Sequence, residues 1–166
     1  MKIEPKFLPI NLEQDWEICL KFRIDSYVVS FGSALNFEKD GGASHYKEWL
    51  FNKIKNNPYS AVHIHFDDKI IGQIELGQMK SDLETGMVNL YYLAPEYRGQ
   101  NLSYYLDQYA VNFLKSLGCK KARLNVSPTN SRAIAFYQKN DWKDLGPNPN
   151  HPEVHMMEKN FVGGAV

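Results

Sequence analysis

The chain has 166 residues, 43% of them hydrophobic, enough for one sizeable core and too few for two comfortable domains. Residues 1–160 read as a single domain and 161–166 as a frayed tail. Lys plus Arg equals Asp plus Glu at 19 each, so no net basic field exists to hold nucleic acid without sequence preference.

In chain order, a short strand is predicted over Lys6 to Ile10, and Asn11 followed by Gln14 has the form of a capping box. The helix it opens repeats Trp16, Leu20, Ile24 and Val28 every fourth residue, with Cys19, Tyr27 and Phe31 beside them, as one apolar stripe ending at Phe31-Gly32. After the loop "LNFEKDGGA", a second amphipathic helix carries Tyr46, Trp49, Leu50 and Ile54 and stops at Asn56-Asn57-Pro58. The period then changes: "SAVHIHF" and "KIIGQIEL" flank Asp67-Asp68 as an antiparallel hairpin. A strand "GMVNLYYLAP" follows a polar turn around Ser81 to Thr85. Leu102, Leu106, Tyr109, Ala110, Phe113, Leu114 and Leu117 share one helical face that ends at Gly118. Then come strand "KARLNV", helix "SRAIAFYQKN", strand "DWKDL", an irregular connection from Gly146 to Pro152, and strand "EVHMMEKNF". Helices early, antiparallel strands centrally and a closing β-α-β-α-β order predict a mixed α/β sheet.

The two cysteines, Cys19 and Cys119, lack the spacing of a zinc or redox pair and read as buried thiols of a reduced, cytoplasmic protein. His63 with His65 and His151 with His155 lack a third ligand, so no metal is expected. The amino-terminal stretch breaks any apolar run with charges and prolines, and no segment reaches about 18 apolar residues, so neither a leader nor a membrane span is expected. Lys120, Lys121 and Arg123 read as a solvated helix end and strand edge.

Two stretches carry chemistry. In "APEYRGQNLSYYL", Pro95 ends a strand, Arg98-Gly99 permits a sharp turn, and Leu102 starts the buried face of a helix. The amides from Gly99 to Tyr104 then stand unpaired at the positive end of a helix dipole, where an anion belongs. Neither a P-loop Lys-Ser/Thr pair nor a dinucleotide fingerprint is present. Downstream, "NVSPTNSRAIAFYQKNDW" sets Asn130 before a helix holding Ala133, Phe136 and Tyr137, with Trp142 opening the next strand.

Together these stretches resemble the GNAT superfamily of acetyl-CoA-dependent N-acetyltransferases. The family turn R/Q-x-x-G-x-G/A corresponds to Arg98, Gly99, Gln100, Asn101, Leu102 and Ser103, and the family helix N-x-x-A-x-x-F-Y-x-x-x-G-F to Asn130 through Trp142. The resemblance implies a GNAT-like α/β (α+β) fold, a mixed, mostly antiparallel sheet of roughly six to seven strands flanked by about four helices. Asn101 and Ser103 replace family small residues. Asparagine visits left-handed backbone readily, so the turn is expected to persist, as it is at Asp141 in place of a family glycine.

The implied activity is transfer of an acetyl group from acetyl-CoA to a primary amine, on a small molecule or a peptide. Tyr137 matches the tyrosine that protonates the departing sulfur. Arg98, Gly99, Gln100, Asn101, Leu102, Ser103, Tyr104, Asn130, Ala133 and Phe136 fall at coenzyme positions, and the strand from Asn89 is expected to splay so that Tyr92 and Leu93 offer backbone groups to the pantetheine arm. Where some members carry a glutamate base, this chain has Asn125, leaving Glu75, Glu84 or a water chain. Trp49, Tyr46 and Phe31 fall in helices that form the acceptor wall in the family. The edge of the last strands would support a homodimer. A non-catalytic acyl-CoA-binding or sensing module is the alternative, supported by Asn101, Ser103 and Asn125.

Overall fold

The structure, a computed structural model, describes residues 4–161. The tail beyond Phe161 lies outside the described residues. The order is β1 (Lys6–Pro9), α1 (Leu12–Phe31), α2 (Leu35–Lys39), α3 (Gly42–Asn56), β2 (Ala61–Phe66), β3 (Lys69–Met79), β4 (Asp82–Leu93), α4 (Ser103–Ser116), β5 (Lys121–Val126), α5 (Ser131–Lys139), β6 (Lys143–Asn148) and β7 (His151–Asn160). The strands form one sheet in the order β1-β2-β3-β4-β5-β7-β6. β1–β2, β2–β3, β5–β7 and β6–β7 pair antiparallel, and β4–β5 pairs parallel. This is the expected mixed, mostly antiparallel architecture. No helix among the described residues is long and apolar enough to cross a membrane.

The chain gathers into two compact units, one from the amino-terminal part through Glu75 together with Leu90–Leu106, the other from Leu76–Asn89 together with the chain from Asp107 onward. In the first unit α1 starts as the sequence predicts, with the Asn11 side chain accepting the Gln14 amide, and ends at Gly32 with φ 78°. Its burial differs from the predicted single stripe. Cys19, Trp16, Leu20, Ile24 and Tyr27 pack with Ile10, Phe37, Tyr46 and Leu50, whereas Phe22 and Ile18 join Leu90 and Tyr92. A helix with neighbours on two sides shows no clean one-face period, and Val28, from the predicted stripe, is 41% exposed.

The loop predicted over "LNFEKDGGA" contains a helical turn, α2. At five residues it is too short to display a period, and Phe37 seats it, its ring 5.4 Å from Tyr27 and 6.2 Å from Tyr46. Between β2 and β3, Asp67 and Asp68 take φ 53° and 61°, the left-handed pair that a two-residue hairpin requires.

In the second unit β4 begins at Asp82, earlier than predicted, because the Thr85 hydroxyl donates to Asp82 at 2.7 Å and Thr85 is buried rather than part of a polar turn. The stretch from Gly146 to Pro152, predicted irregular, is a hairpin: β6 and β7 pair through Pro147 opposite His155 and Asn148 opposite His151. Pro147 fits there because β6 is the sheet's edge strand and its pairing shifts register beside that residue.

Candidate active site

The turn after β4 has the shape its residues favour. Gly99 takes φ 77° and Asn101 φ 64°, so asparagine occupies the left-handed position directly. A Cβ built on Gly99 meets nothing within 4 Å, which leaves open space over that backbone. The Arg98 amide donates to Pro95 and the Tyr105 amide to Leu102, while the amides of Gly99, Gln100, Asn101 and Leu102 have no backbone acceptor among the described residues. Ser103 and Tyr104 open α4 at the positive end of its dipole. Such a donor set suits phosphate oxygens.

On the strand leading into that turn, Leu93 gives its carbonyl to Arg98 Nε at 2.7 Å, and the Tyr92 hydroxyl donates to Asp25 at 2.5 Å. The β4–β5 register runs from Thr85 to Val88, so it ends before Asn89.

The first unit also holds a cleft of about 250 Å³ whose lining includes Arg23, Tyr27, Phe37, Asp40, Tyr46 and Trp49. Two of its lining residues, Arg23 and Tyr46, belong to a buried polar chain. Arg23 Nη1 donates to Glu75 Oε1 at 2.6 Å, and the Tyr46 hydroxyl donates to Glu75 Oε2 at 2.5 Å. Gln73 Nε2 donates to Glu75 at 2.7 Å and to the Tyr46 oxygen at 2.9 Å. Gln73 Oε1 is then left as an acceptor, so His63 Nε2, 2.8 Å away, carries the hydrogen. Strand register explains the meeting: His63 lies opposite Gln73, and Glu75 follows on the same face two residues later.

Glu75 is fully buried, and its carboxylate reaches the cleft through Arg23 and Tyr46. Burial, reinforced by the charge of Glu75, pushes the Tyr46 phenol far above the usual tyrosine range. Burial likewise lowers the His63 imidazole and raises the Cys19 thiol to about 12. Of the three residues the resemblance put at an acceptor wall, Tyr46 and Trp49 line this cleft. Phe31 does not; it is 37% exposed, its ring 6.1 Å from Tyr27.

In the second unit Asn130 caps α5, its side-chain oxygen accepting the Ala133 amide at 3.2 Å. Ala133, Phe136 and Tyr137 are half-buried on that helix. The Tyr137 ring lies 5.6 Å from Phe136 and 5.9 Å from Trp142, and its carbonyl accepts the Trp142 amide at 2.9 Å across the Asp141 turn, where φ is 70°. Burial, then the Asp107 charge, pushes the Tyr137 phenol well above the ordinary range. Sequence reasoning passed over Asp107. Buried on α4, it accepts Trp142 Nε1 at 3.0 Å and Lys159 Nζ at 2.7 Å, fixing the chain just after α5.

Of the other positions considered for a base, Glu84 is exposed and pairs with Lys120 at 3.0 Å, and Asn125 accepts the Asn148 amide at 2.9 Å. No group of three or more metal-ligating side chains occurs among the described residues.

A family model for the GNAT acetyltransferases matches residues 21–142. The chain belongs to this family. No curated protein matches the chain. Among solved structures it is similar to the PaiA N-acetyltransferase from Thermoplasma acidophilum in complex with coenzyme A, at 24% identity and TM-score 0.77 over 97% of this chain and 100% of that one. An N-acetyltransferase from Staphylococcus aureus is similar at 15% identity and TM-score 0.74, covering 96% of this chain and 99% of its own. A ribosomal-protein-alanine N-acetyltransferase from Brucella melitensis matches at 12% identity and TM-score 0.71, over 94% and 99%. At these identities the likeness is one of fold.

Proposed function

We propose that this acetyltransferase moves an acetyl group from acetyl-CoA to a primary amine by direct attack, with Tyr137 as general acid. The observation that carries the reading is the turn, in which Gly99 and Asn101 hold left-handed backbone ahead of α4 beneath open space. The amides of Gly99, Gln100, Asn101, Leu102, Ser103 and Tyr104 bind the pyrophosphate, with Arg98 setting the turn and Tyr92 and Leu93 offering backbone to the pantetheine arm. Asn130, Ala133 and Phe136 complete the coenzyme site by family position. Bound acetyl-CoA supplies an activated thioester carbonyl.

The cleft receives the acceptor. About 250 Å³ with four aromatic rings suits an acceptor of side-chain size, either a small amine or one residue of a peptide. The amine nitrogen forms its bond to the carbonyl carbon as the carbon–sulfur bond breaks, the amine loses a proton, and the sulfur takes one from Tyr137. Burial supports the last role by keeping that phenol protonated at neutral pH, at the cost of making it a weaker acid. Glu75 accepts the amine proton only by way of the Tyr46 hydroxyl, because its own oxygens are already bonded to Arg23, Tyr46 and Gln73.

Tyr137→Phe is the test. With acetyl-CoA and a panel of primary amines, turnover should fall on the order of 100-fold or more, the usual weight of a positioned acid, while coenzyme binding is kept. Full activity in the variant would remove Tyr137 from the mechanism.

The alternative, a non-catalytic acyl-CoA-binding or sensing module, draws support from Glu75, which sits in an ion pair, and from Asn125, which cannot take a proton and accepts a bond from Asn148 where some family members carry a base. Tight coenzyme binding with no free thiol released across the amine panel would favour it.

A further inference from the structure

One carboxylate ties the end of β4 and the turn beyond it to α1. Asp25 Oδ2 accepts both the Tyr92 hydroxyl at 2.5 Å and Arg98 Nη2 at 3.1 Å. Arg98 spends Nε on the Leu93 carbonyl at 2.7 Å and lays its guanidinium 5.3 Å over the Tyr92 ring. Phe22, three residues before Asp25 and so on the same helical face, packs its ring 4.6 Å from that of Tyr92 at a tilt of 32°. Above this point the Ala94 amide is held by the Ile71 carbonyl at 2.7 Å.

The turn needs an anchor of this kind. Glycine has the most backbone freedom to lose, and the space where a Gly99 side chain would lie is empty, so no packing there restrains it. A guanidinium can serve strand carbonyl, carboxylate and aromatic face together because its donors form a planar fork.

We propose that Asp25 is a positioning residue for the coenzyme turn, holding Arg98 folded back on the end of β4 and so fixing where the backbone of Gly99 to Ser103 begins. This rests on the reading that the turn holds the coenzyme. Arg98 then acts through the backbone it orients rather than by reaching for phosphate.

The test uses the whole chain in two measurements: calorimetric titration with coenzyme A, and amide hydrogen exchange without coenzyme. Asp25→Asn and Arg98→Lys should each weaken coenzyme A binding about tenfold, the weight of one partly exposed charge-assisted hydrogen bond. Both should speed exchange across Gly99 to Ser103 and leave exchange in α3 unchanged. In turnover the KM for the acetyl donor should rise while kcat and the acceptor KM hold, a split that general loss of structure does not produce. If Asp25→Asn does not fold, Tyr92→Phe removes one hydroxyl from the same carboxylate and should move both readouts the same way by less. Unchanged exchange in the variants overturns the proposal, as does unchanged affinity where the wild type binds. A wild type that fails to bind coenzyme A sinks the coenzyme reading instead, and the exchange data still decide whether Asp25 orders the turn.

Discussion

Tyr46 donates a 2.5 Å hydrogen bond to Glu75, placing a phenol that lines the cleft in contact with a carboxylate that is fully buried. The pair is stable because Arg23 stands 2.6 Å from the other carboxylate oxygen and supplies the opposing charge. Removing one partner strands the other. Arg23→Ala should therefore cost about 3–5 kcal/mol in urea unfolding, and Tyr46→Phe about 1–3 kcal/mol. Exchanging Arg23 and Glu75 together for Met and Leu should cost less than the two single changes combined. Strict additivity in that cycle would mean that the two charges do not act as a unit.

The turn makes a sharper demand on Asn101. At φ 64°, asparagine and glycine are both tolerated and a β-branched residue is not. Asn101→Gly should keep coenzyme A affinity, whereas Asn101→Val should lose about tenfold or more through backbone strain. Equal binding by the two variants would show that the turn is not held in this conformation when coenzyme binds.

Two glycines with similar crowding should respond differently to alanine. A Cβ on Gly72 would collide with the Tyr92 carbonyl oxygen and approach Ile64 Cδ1 to 2.8 Å, whereas the nearest atoms to a Cβ on Gly86 belong to the Leu114 side chain, at 2.7 Å. A side chain can turn aside, but the strand carbonyl cannot. Gly72→Ala should destabilise by roughly 2–3 kcal/mol and Gly86→Ala by about 1 kcal/mol, read from paired thermal melts. The reverse order would contradict the strand spacing described.

His63 predicts a dependence on acid. Burial lowers its folded-state pKa beneath the ordinary value of about 6.5, so its contribution to stability is complete above that pH and drains away as pH falls toward the folded value. Unfolding free energy should decline below about pH 6.5, and His63→Gln should flatten that limb. An unchanged slope in the variant would assign the acid loss to carboxylates.

For Tyr137 the sign is opposite. Raised above its usual value, the phenol remains protonated until pH passes about 10, so no alkaline loss of kcat below that pH should belong to it. A limb near neutrality would have to come from another group, and its persistence in Glu75→Gln would exclude the relay through Tyr46.

Sequence alone determined what depends on near neighbours. Asn11 and Asn130 cap helices by bonding an amide three residues on, and the aspartates at 67 and 68 accept the left-handed backbone of a hairpin. Periodicity placed the long helices and strands, and the spacing of turn and helix residues was enough to suggest the family. The short helix α2 and the proline-containing strand β6 escaped it, since one is stabilised by contacts of Phe37 and the other by its place at the sheet edge.

Only the tertiary structure decided which polar groups meet. Arg23 finds Glu75 across 52 positions, Asp25 finds Arg98 across 73, and Asp107 finds Trp142 across 35. No local period records such partnerships, because they follow from strand register and helix packing. In sequence Glu75 is a glutamate on a strand, equally fit for solvent or for catalysis. Folding buries it beside an arginine and a tyrosine, and the cost of leaving a charge unpaired there settles which neighbours it must have.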